Sequence, residues 1–207
     1  MFRSVIVICG ICGLVIVIVF ELTKPAIIKN QQNALNKAVF TVIPQTKTKQ
    51  AWSITETNTL EESRHSTNQS NLIYASYDEN NRLLGFAISA QGMGYQDTIH
   101  VLYAYDAERQ IISGFTVLQN RETPGLGSKI ASNHRFLENF NQLDVQLNKI
   151  KNTLLHNIEV VSTGNKKAPY QIDAISGATV SSFAVAEIVQ KSISHWAPVI
   201  QSNIKRF

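Results

Sequence analysis

The apolar residues of this chain follow two patterns: one unbroken run near the N-terminus, and short segments that alternate with polar residues through the remainder. Every residue from Val5 to Phe20 is apolar or glycine. This run is slightly shorter than the roughly 20 residues that span a bilayer, but Phe2 and Leu22 lengthen the apolar stretch. The pattern favours a single membrane-spanning helix.

A cleaved secretory signal peptide is the alternative interpretation of the apolar run. The segment that follows it, Glu21–Pro25, contains no small-residue cleavage pattern, so we expect an uncleaved anchor. Arg3 places positive charge ahead of the run and favours an N-terminus in the cytoplasm, whereas Lys24 and Lys29 weaken this bias. In a bacterium, the remaining domain would then lie in the periplasm.

The segment after the run predicts a helix followed by a polar connection. Apolar residues at helical spacing cover Ala26–Ile43, and Pro44 is expected to end the helix. From Gln45 to Asn71 the composition turns to Thr, Ser, Asn, Gln and charged residues, which indicates irregular structure with at most one short strand. The predicted division of the chain is an anchor at 1–23, the helix and connection at 24–71, and a globular domain at 72–207.

The central part of the chain is predicted to be rich in strands. Four short segments contain alternating apolar residues, and short polar turns separate them. Short turns favour antiparallel pairing between neighbouring strands. The predicted strands are Leu72–Tyr77, Leu84–Ala90, Ile99–Tyr105 and Ile111–Leu118.

Helical periodicity returns towards the C-terminus and completes the expected fold. A closing helix is predicted over Ser181–Trp196, a shorter helix over Ser132–Phe140 and a further strand over Ile158–Ser162. The expected fold class is α+β: a curved, mainly antiparallel sheet packed by helices, on a single N-terminal transmembrane helix.

Composition and charge exclude several classes of protein. The 207 residues are 44% apolar, which suits one sizeable globular domain. The net charge of +4 comes from dispersed basic residues that form no basic helix face, so we expect no nucleic-acid partner. Cys9 and Cys12 both lie in the apolar run, where they are interpreted as small apolar residues. The exported domain must therefore be stable without disulfides.

No conventional catalytic or metal-binding set emerges. The five histidines show neither H-x-x-x-H nor H-E-x-x-H spacing, no cysteine joins them, and no G-x-S-x-G elbow is present. We expect no catalytic residue and no metal ligand in this chain.

A small-residue turn before the closing helix is the most informative chemical feature. The segment Asp173–Ser181 reads D-A-I-S-G-A-T-V-S, in which Gly177 and Ala178 allow another molecule to approach the backbone. Ser181 and Ser182 are suitable N-cap residues, and a helix N-terminus offers N–H groups and a positive dipole end to a phosphate. Taken alone, the segment is also consistent with a simple Ser/Thr cap on an amphipathic helix.

The pattern D-x-x-S-G-A-T-x-S resembles the flavinylation motif of an FMN-binding domain. The G subunit of the Rnf/Rsx electron-transport complex and the C subunit of the sodium-pumping NADH:quinone oxidoreductase share this domain. In that family the last Thr of the motif, here Thr179, carries FMN through a phosphoester bond. The resemblance implies a separate, magnesium-dependent flavin transferase that uses FAD as donor. Asp173 is the candidate residue for engaging that transferase, with a solvated turn as the alternative.

A second segment, Glu122–Gly127, resembles the E-T-P-G-L-G loop of the same family. Gly125 and Gly127 permit backbone conformations that are closed to other residues, so Leu126 is expected at the tip of a loop that forms a wall for a planar ring. An ordinary hairpin or strand-to-helix turn is the alternative. Family members often carry a His just before this loop, where this chain has Asn120-Arg121, so a role for that His does not transfer.

The resemblance implies covalent FMN and a set of residues around it. Thr179 is the expected site of attachment. The other cofactor-binding candidates are Ser176, Gly177, Ala178, Ser181, Ser182, Glu122, Thr123, Gly125, Leu126 and Gly127.

Two classes of function follow. The first is a membrane-anchored flavoprotein subunit, not catalytic alone, that relays electrons through FMN in an Rnf/Rsx-like complex. Such a complex couples ferredoxin and NAD redox chemistry to ion transport or to reduction of a target protein, and its other subunits and the flavin transferase are the expected partners. The alternatives are a non-redox binding or scaffolding subunit, or the C subunit of the sodium-pumping enzyme. The chain's length and its end soon after the closing helix favour the G subunit.

Overall fold

The computed structural model of the protein describes residues 2–54, 60–62, 72–148, 150 and 152–207. Part of the predicted polar connection, residues 55–59 and 63–71, lies outside the described residues. The described part corrects the prediction of irregular structure with at most one strand, because Thr48–Ile54 and Leu60–Glu62 are two paired strands of the main sheet. The chain forms two compact units, residues 1–37 and residues 38–207.

The N-terminal helix α1 spans Phe2–Val42. The sequence predicted a second helix beginning at Ala26, and the structure corrects this, because the helix passes through Pro25 without ending. Proline lacks the N–H of one backbone hydrogen bond but does not always end a helix. The helix ends before Pro44, as predicted, since a proline disfavours helical angles in the residue that precedes it. By length and composition, α1 is able to cross a membrane, and none of its apolar window is buried.

Seven antiparallel strands form the main sheet within the described part of the chain. The strand order is β2-β1-β3-β4-β5-β6-β7, so the four central strands form a meander of consecutive hairpins. This arrangement confirms the antiparallel pairing that the short turns predicted. The strands are β1 (Thr48–Ile54), β2 (Leu60–Glu62), β3 (Leu72–Tyr77), β4 (Leu83–Met93), β5 (Thr98–Asp106), β6 (Ile111–Gln119) and β7 (Leu143–Asp144).

Aspartate side chains close two of these hairpins. Asp78 Oδ1 accepts hydrogen bonds from the backbone N–H groups of Asn80 and Arg82, both at 2.8 Å. Asp106 Oδ1 accepts hydrogen bonds from the backbone N–H groups of Glu108 and Arg109, at 3.0 and 2.9 Å. Aspartate favours such turns because its carboxylate reaches the backbone N–H groups of the residues that follow it. The turns therefore fix the register of β3 with β4 and of β5 with β6.

Between the sheet and the closing helix lie several short elements. A 3-10 turn spans Gly127–Ala131, and α2 spans only His134–Glu138 where the sequence predicted Ser132–Phe140. The Asn133 side chain explains the later start, because it caps α2 by accepting from the Phe136 N–H at 3.1 Å. The remaining strands are β8 (Leu147–Asn148), β9 (Thr153–Leu154), β10 (Glu159–Val161) and β11 (Gln171–Asp173).

The predicted strand at Ile158–Ser162 corresponds to β10. It pairs with β11 in parallel, as a two-stranded sheet separate from the main one. The backbone N–H of Ala174, just after β11, extends this pairing to the Val161 carbonyl at 2.8 Å. The parallel pair thus brings the chain to the start of the last helix.

The closing helix α3 spans Thr179–Asn203, longer at both ends than the predicted Ser181–Trp196. Its apolar face covers β4 and β5, and Gly92 permits this contact because a Cβ there would lie 2.6 Å from Ile188 Cγ1. The fully buried Tyr103 donates a hydrogen bond from Oη to Ser192 Oγ at 2.7 Å. Burial raises the pKa of Tyr103, so its hydroxyl stays protonated and remains a donor. The core between sheet and helix fixes the position of the N-terminal turn of α3.

Candidate functional site

The turn from β11 into α3 presents the predicted acceptor, Thr179, at the first position of the helix. Gly177 adopts a φ of +79°, a conformation that glycine adopts readily. Ala178 occupies the N-cap position without a side-chain cap. Ser181 and Ser182 were predicted to cap the helix, and this prediction was wrong, because the helix begins before both of them.

Ser182 closes the turn from inside the protein. Its Oγ donates to the Ala178 carbonyl at 2.9 Å and accepts from the Ile175 N–H at 3.1 Å, and the side chain is fully buried. Because this buried hydroxyl both donates and accepts a hydrogen bond, it holds the backbone on either side of Gly177 in place. Ser182 is therefore a support for the turn.

Ser181 connects the turn to the second sequence motif. Its buried Oγ donates a hydrogen bond to Glu122 Oε2. Glu122 is only 4% exposed, and its other oxygen, Oε1, accepts from the Gln96 N–H at 3.0 Å. Gly127 is required beside this pair, since a Cβ there would lie 2.6 Å from both Glu122 Oε2 and Ser181 Oγ. The structure thus brings the two predicted motifs into direct contact.

The outer part of the Glu122–Gly127 loop has the predicted shape. Gly125 has a φ of +77°, and its N–H donates to Ser128 Oγ at 3.0 Å. Thr123 Oγ1 donates to Gln96 Oε1 at 3.2 Å. Leu126 is half-exposed at the tip of the loop. A Cβ added at Gly177 would lie 3.8 Å from Leu126 Cδ2, so the tip of the loop approaches the turn that precedes α3.

A pocket of about 230 Å³ lies beside Thr179. Of the residues that the sequence analysis proposed for cofactor binding, only Ser176 and Thr179 line it, and those of the Glu122–Gly127 loop do not. The complete lining is Val160, Val161, Ser162, Thr163, Ala174, Ser176, Thr179 and Phe183.

Sequence reasoning missed most of this lining. One signal was available, because Phe183 follows Thr179 by four residues and therefore lies on the same helix face. No comparable signal marked Val160 or Thr163, which the parallel pairing of β10 with β11 brings to the site.

The hydroxyl groups around the pocket differ in their hydrogen bonding. Thr163 Oγ1 lies 2.5 Å from the Ala174 carbonyl, to which it donates, and 3.0 Å from Ser176 Oγ. Because the Thr163 hydroxyl proton is used in the bond to Ala174, the Ser176 hydroxyl is the donor to Thr163 Oγ1. Thr179 is exposed, and among the residues that the structure describes its hydroxyl has no hydrogen-bond partner. A nucleophilic oxygen at this position is accessible to another molecule.

Asp173 holds the loop that forms one side of the pocket. Its Oδ1 accepts from the backbone N–H groups of Asn165 and Lys166 at 3.1 and 3.0 Å. Burial lowers the pKa of Lys166, and the nearby charge of Asp173 opposes that shift. The side chain of Asn139 adds a second constraint, because its Oδ1 accepts from the Asp173 N–H at 3.1 Å. Asp173 is half-buried, and its hydrogen bonds hold the backbone on this side of the site in place.

The residues present fit a phosphate-linked planar group. The first N–H groups of a helix of 25 residues, together with the hydroxyls of Ser176 and Thr179, suit an anionic phosphate. The half-exposed side chain of Phe183 offers an apolar surface for an aromatic ring.

Residues 94–194 match the FMN-binding domain family, and this segment contains both motifs and every residue that lines the pocket. The chain is 30% identical over 124 residues to the G subunit of the ion-translocating oxidoreductase complex of Methanosarcina acetivorans, with 60% of this chain and 57% of that protein covered. It is 23% identical over 191 residues to the G subunit of the proton-translocating ferredoxin:NAD(+) oxidoreductase complex of Clostridium ljungdahlii, with 92% and 87% covered. The chain thus spans little more than half the length of the Methanosarcina relative.

Two solved structures share the fold. The NqrC structure from Shewanella oneidensis superposes with a TM-score of 0.58 at 16% identity, over 82% of this chain and 86% of that one. The C subunit of the Na(+)-translocating NADH-quinone reductase from Parabacteroides distasonis gives a TM-score of 0.59 at 20% identity, over 76% and 79%. These likenesses confirm the predicted fold class.

Proposed function

Since residues 94–194 belong to the FMN-binding domain family, we propose that this chain is the G subunit of an Rnf-type electron-transport complex and carries FMN covalently on Thr179. The observation that carries this proposal is the accessible Thr179 hydroxyl, which lies at the first position of α3 beside a pocket. When bound, FMN accepts and donates electrons. The chain supplies the position and the electrostatic environment of the flavin.

The choice of Thr179 over the neighbouring hydroxyls rests on exposure and hydrogen bonding. Ser181 and Ser182 are buried and hydrogen-bonded, so neither reaches another protein. Ser176 is exposed but hydrogen-bonded to Thr163. Thr179 alone among these four hydroxyls combines exposure with an oxygen that no described residue contacts by hydrogen bonding.

Attachment requires a separate flavin transferase with magnesium and FAD. The Thr179 oxygen forms a bond to the phosphorus of the FMN half of FAD, and the pyrophosphate bond breaks. AMP leaves, and the Thr179 proton passes to a base of the transferase. Asp173 lies six residues before the acceptor, and we assign it a part in engaging the transferase in addition to its contacts within the loop.

Helix α1 provides the proposed attachment to the membrane. The apolar run within residues 1–23 forms the anchor, and the globular unit of residues 38–207, which includes β1 and β2, lies on the outer side of a bacterial inner membrane. The exposed apolar window of the helix and the positive charge of Arg3 ahead of it support this arrangement.

The other subunits of the complex are the proposed partners. The names of the curated relatives describe ion-translocating and ferredoxin:NAD(+) oxidoreductase complexes. On that basis the flavin relays electrons within a complex that couples ferredoxin and NAD chemistry to ion transport or to reduction of a target protein. A non-redox scaffolding role is the alternative, and it predicts a folded chain that gains no covalent flavin when it is produced with the transferase.

The proposal is tested by producing the full chain together with a flavin transferase and examining denaturing gels for flavin fluorescence. We expect a fluorescent band for the wild type and for Ser176→Ala, and none for Thr179→Ala. The Ser176 variant is the matched control, because it also removes a hydroxyl from the pocket. A fluorescent Thr179→Ala band would refute the assignment, and a non-fluorescent wild type would favour the scaffolding role.

A further inference from the structure

The side chain of Asn139 joins two elements that are far apart in the sequence. Asn139 is the C-cap residue of α2 and is only 5% exposed. Its Nδ2 donates to the carbonyls of Arg135 and Phe136, at 3.3 and 3.1 Å, and to the carbonyl of Asp173 at 3.3 Å. One amide group therefore binds both the last turn of α2 and a residue 34 positions further along the chain.

Asn139 pairs with the backbone of Asp173 in the way that a neighbouring strand would. Its Oδ1 accepts from the Asp173 N–H at 3.1 Å, while its Nδ2 donates to the carbonyl of the same residue. Two strands exchange the same pair of bonds at a hydrogen-bonded position of a ladder. The other edge of β11 is bound to β10, where the Ala174 N–H donates to the Val161 carbonyl. The backbone at Asp173 is therefore held from both sides.

The two carboxylate oxygens of Asp173 differ in their hydrogen bonding. Oδ1 accepts from the backbone N–H groups of Asn165 and Lys166. Oδ2 accepts no hydrogen bond from any residue that the structure describes, and the side chain is only half-buried. Because the loop uses Oδ1, Oδ2 is the oxygen through which Asp173 can bind another protein or its metal ion.

A short, supported path connects Asp173 with the acceptor hydroxyl. The Ile175 N–H donates to Ser182 Oγ, and Ser182 lies in the first turn of α3, which begins at Thr179. The position of the Asp173 backbone therefore sets the distance between the Asp173 carboxylate and the Thr179 hydroxyl. An enzyme that contacts both groups depends on this distance, because a displacement of about 1 Å can lower a rate by about 100-fold.

We infer that Asn139 is a positioning residue for flavin attachment and acts through Asp173. This inference rests on the proposed function, because it requires a transferase that delivers FMN to Thr179. Asn139 does not line the pocket beside Thr179, so it has no direct part in the bond that forms there. It holds the Asp173 backbone between α2 and β10, and this support presents Oδ2 to the transferase in the orientation that attachment requires.

A double-mutant cycle on the rate of attachment tests this inference. The flavin-free full chain is mixed with a flavin transferase, FAD and magnesium, and gel fluorescence is followed over time at a temperature where circular dichroism shows each variant to be folded. We expect Asn139→Ala to slow attachment by about tenfold, the size of a coupling within one hydrogen-bond network. Asp173→Asn should also slow attachment. The double variant should be no slower than Asp173→Asn alone, because Asn139 acts only through that carboxylate.

Two further variants separate positioning from a loss of stability. Asn133→Ala removes the N-cap of the same helix, where Asn133 Oδ1 accepts from the Phe136 N–H. It should lower the stability but leave attachment at the wild-type rate, because this bond does not involve Asp173. Asn139→Asp replaces Asn139→Ala in the cycle if the alanine variant does not fold. It keeps the bond from the Asp173 N–H, and the Lys166 ammonium, 3.4 Å from Asn139 Oδ1, balances the added charge. It loses the bond to the Asp173 carbonyl and should slow attachment several-fold.

The outcomes separate the inference from the function on which it rests. Three results would each overturn the role of Asn139: a wild-type rate in the folded Asn139 variant, a double variant slowed by the product of the two single effects, or equal slowing by Asn133→Ala. In all three cases the fluorescent band of the wild type would still support covalent attachment. A wild type that gains no flavin would instead remove the proposed function, and the inference with it.

Discussion

Ser181 and Glu122, which are 59 residues apart in the sequence, are joined by a buried hydrogen bond from Ser181 Oγ to Glu122 Oε2. This contact links the first turn of α3 to the loop that follows β6. The carboxylate also accepts from the Gln96 N–H, so one buried side chain holds the β4–β5 turn, the loop and the helix together. The helix turn that presents Thr179 is thereby fixed by residues distant in sequence.

Removing the Ser181 hydroxyl should destabilise the protein. In Ser181→Ala the buried Glu122 carboxylate loses one of the two hydrogen-bond donors that the described residues give it, and an unsatisfied buried group costs about 1–3 kcal/mol. Denaturant unfolding of the flavin-free protein measures the change in the free energy of unfolding. Ser202→Ala is the matched control, because Ser202 is an exposed residue of the same helix and should change the stability by less than about 0.5 kcal/mol. Equal effects of the two substitutions would contradict the role given to the buried bond.

Gly177 should tolerate asparagine better than alanine. A Cβ at this position has space, with Leu126 Cδ2 at 3.8 Å as its nearest neighbour, so the cost of substitution comes from the positive φ of +79°. Alanine in that conformation costs about 1–2 kcal/mol, and asparagine less. Thermal or denaturant unfolding of Gly177→Ala and Gly177→Asn checks the order. If both variants lose the same stability, steric contact and not backbone strain limits the site.

Asp173→Asn should separate the loop role of this residue from its proposed part in flavin attachment. Asparagine retains an oxygen that accepts from the Asn165 and Lys166 N–H groups, but these hydrogen bonds lose their charge-assisted part. We expect the folded domain to persist with about 1–2 kcal/mol less stability, and flavin attachment to slow markedly. A time course of gel fluorescence with added transferase measures attachment. If Asp173→Asn gains flavin at the wild-type rate, Asp173 has only a structural role.

The topology of the protein follows from the proposed anchor. A reporter enzyme that is active only in the periplasm should be active when fused after Phe207, and N-terminal sequencing should find Met1 or Phe2. A mature chain that begins after Leu22 would show that the apolar run is a signal peptide. Fusion of the same reporter ahead of Met1 serves as the control and should be inactive.

The isolated flavinylated protein should not be reduced rapidly by NADH. The chain contains no nicotinamide-binding fingerprint, so the flavin is expected to receive electrons from partner subunits. Anaerobic stopped-flow mixing, with dithionite as the positive control, follows the loss of flavin absorbance. Rapid reduction by NADH would identify a self-contained oxidoreductase.

Local pattern was sufficient for much of the fold. Leu72–Tyr77 was predicted with its observed bounds, and the other three meander strands were placed within a few residues, because alternation and turn residues act over short distances. The same reasoning placed Ser181 and Ser182 as caps and was wrong. Both serines fit the propensity for that position, but α3 begins at Thr179 and packing turns both side chains inwards.

The sequence by itself determined the apolar segment able to span a membrane, the meander of strands and the identity of the two motifs. Each of these depends on residues that are neighbours in the chain or repeat at a fixed period. Only the tertiary structure decided that Glu122 supports Ser181, and that Val160 and Phe183 border the pocket of Thr179. Those contacts arise where α3 packs between the loop and the β10–β11 pair, and no local periodicity encodes which distant segments a helix will touch.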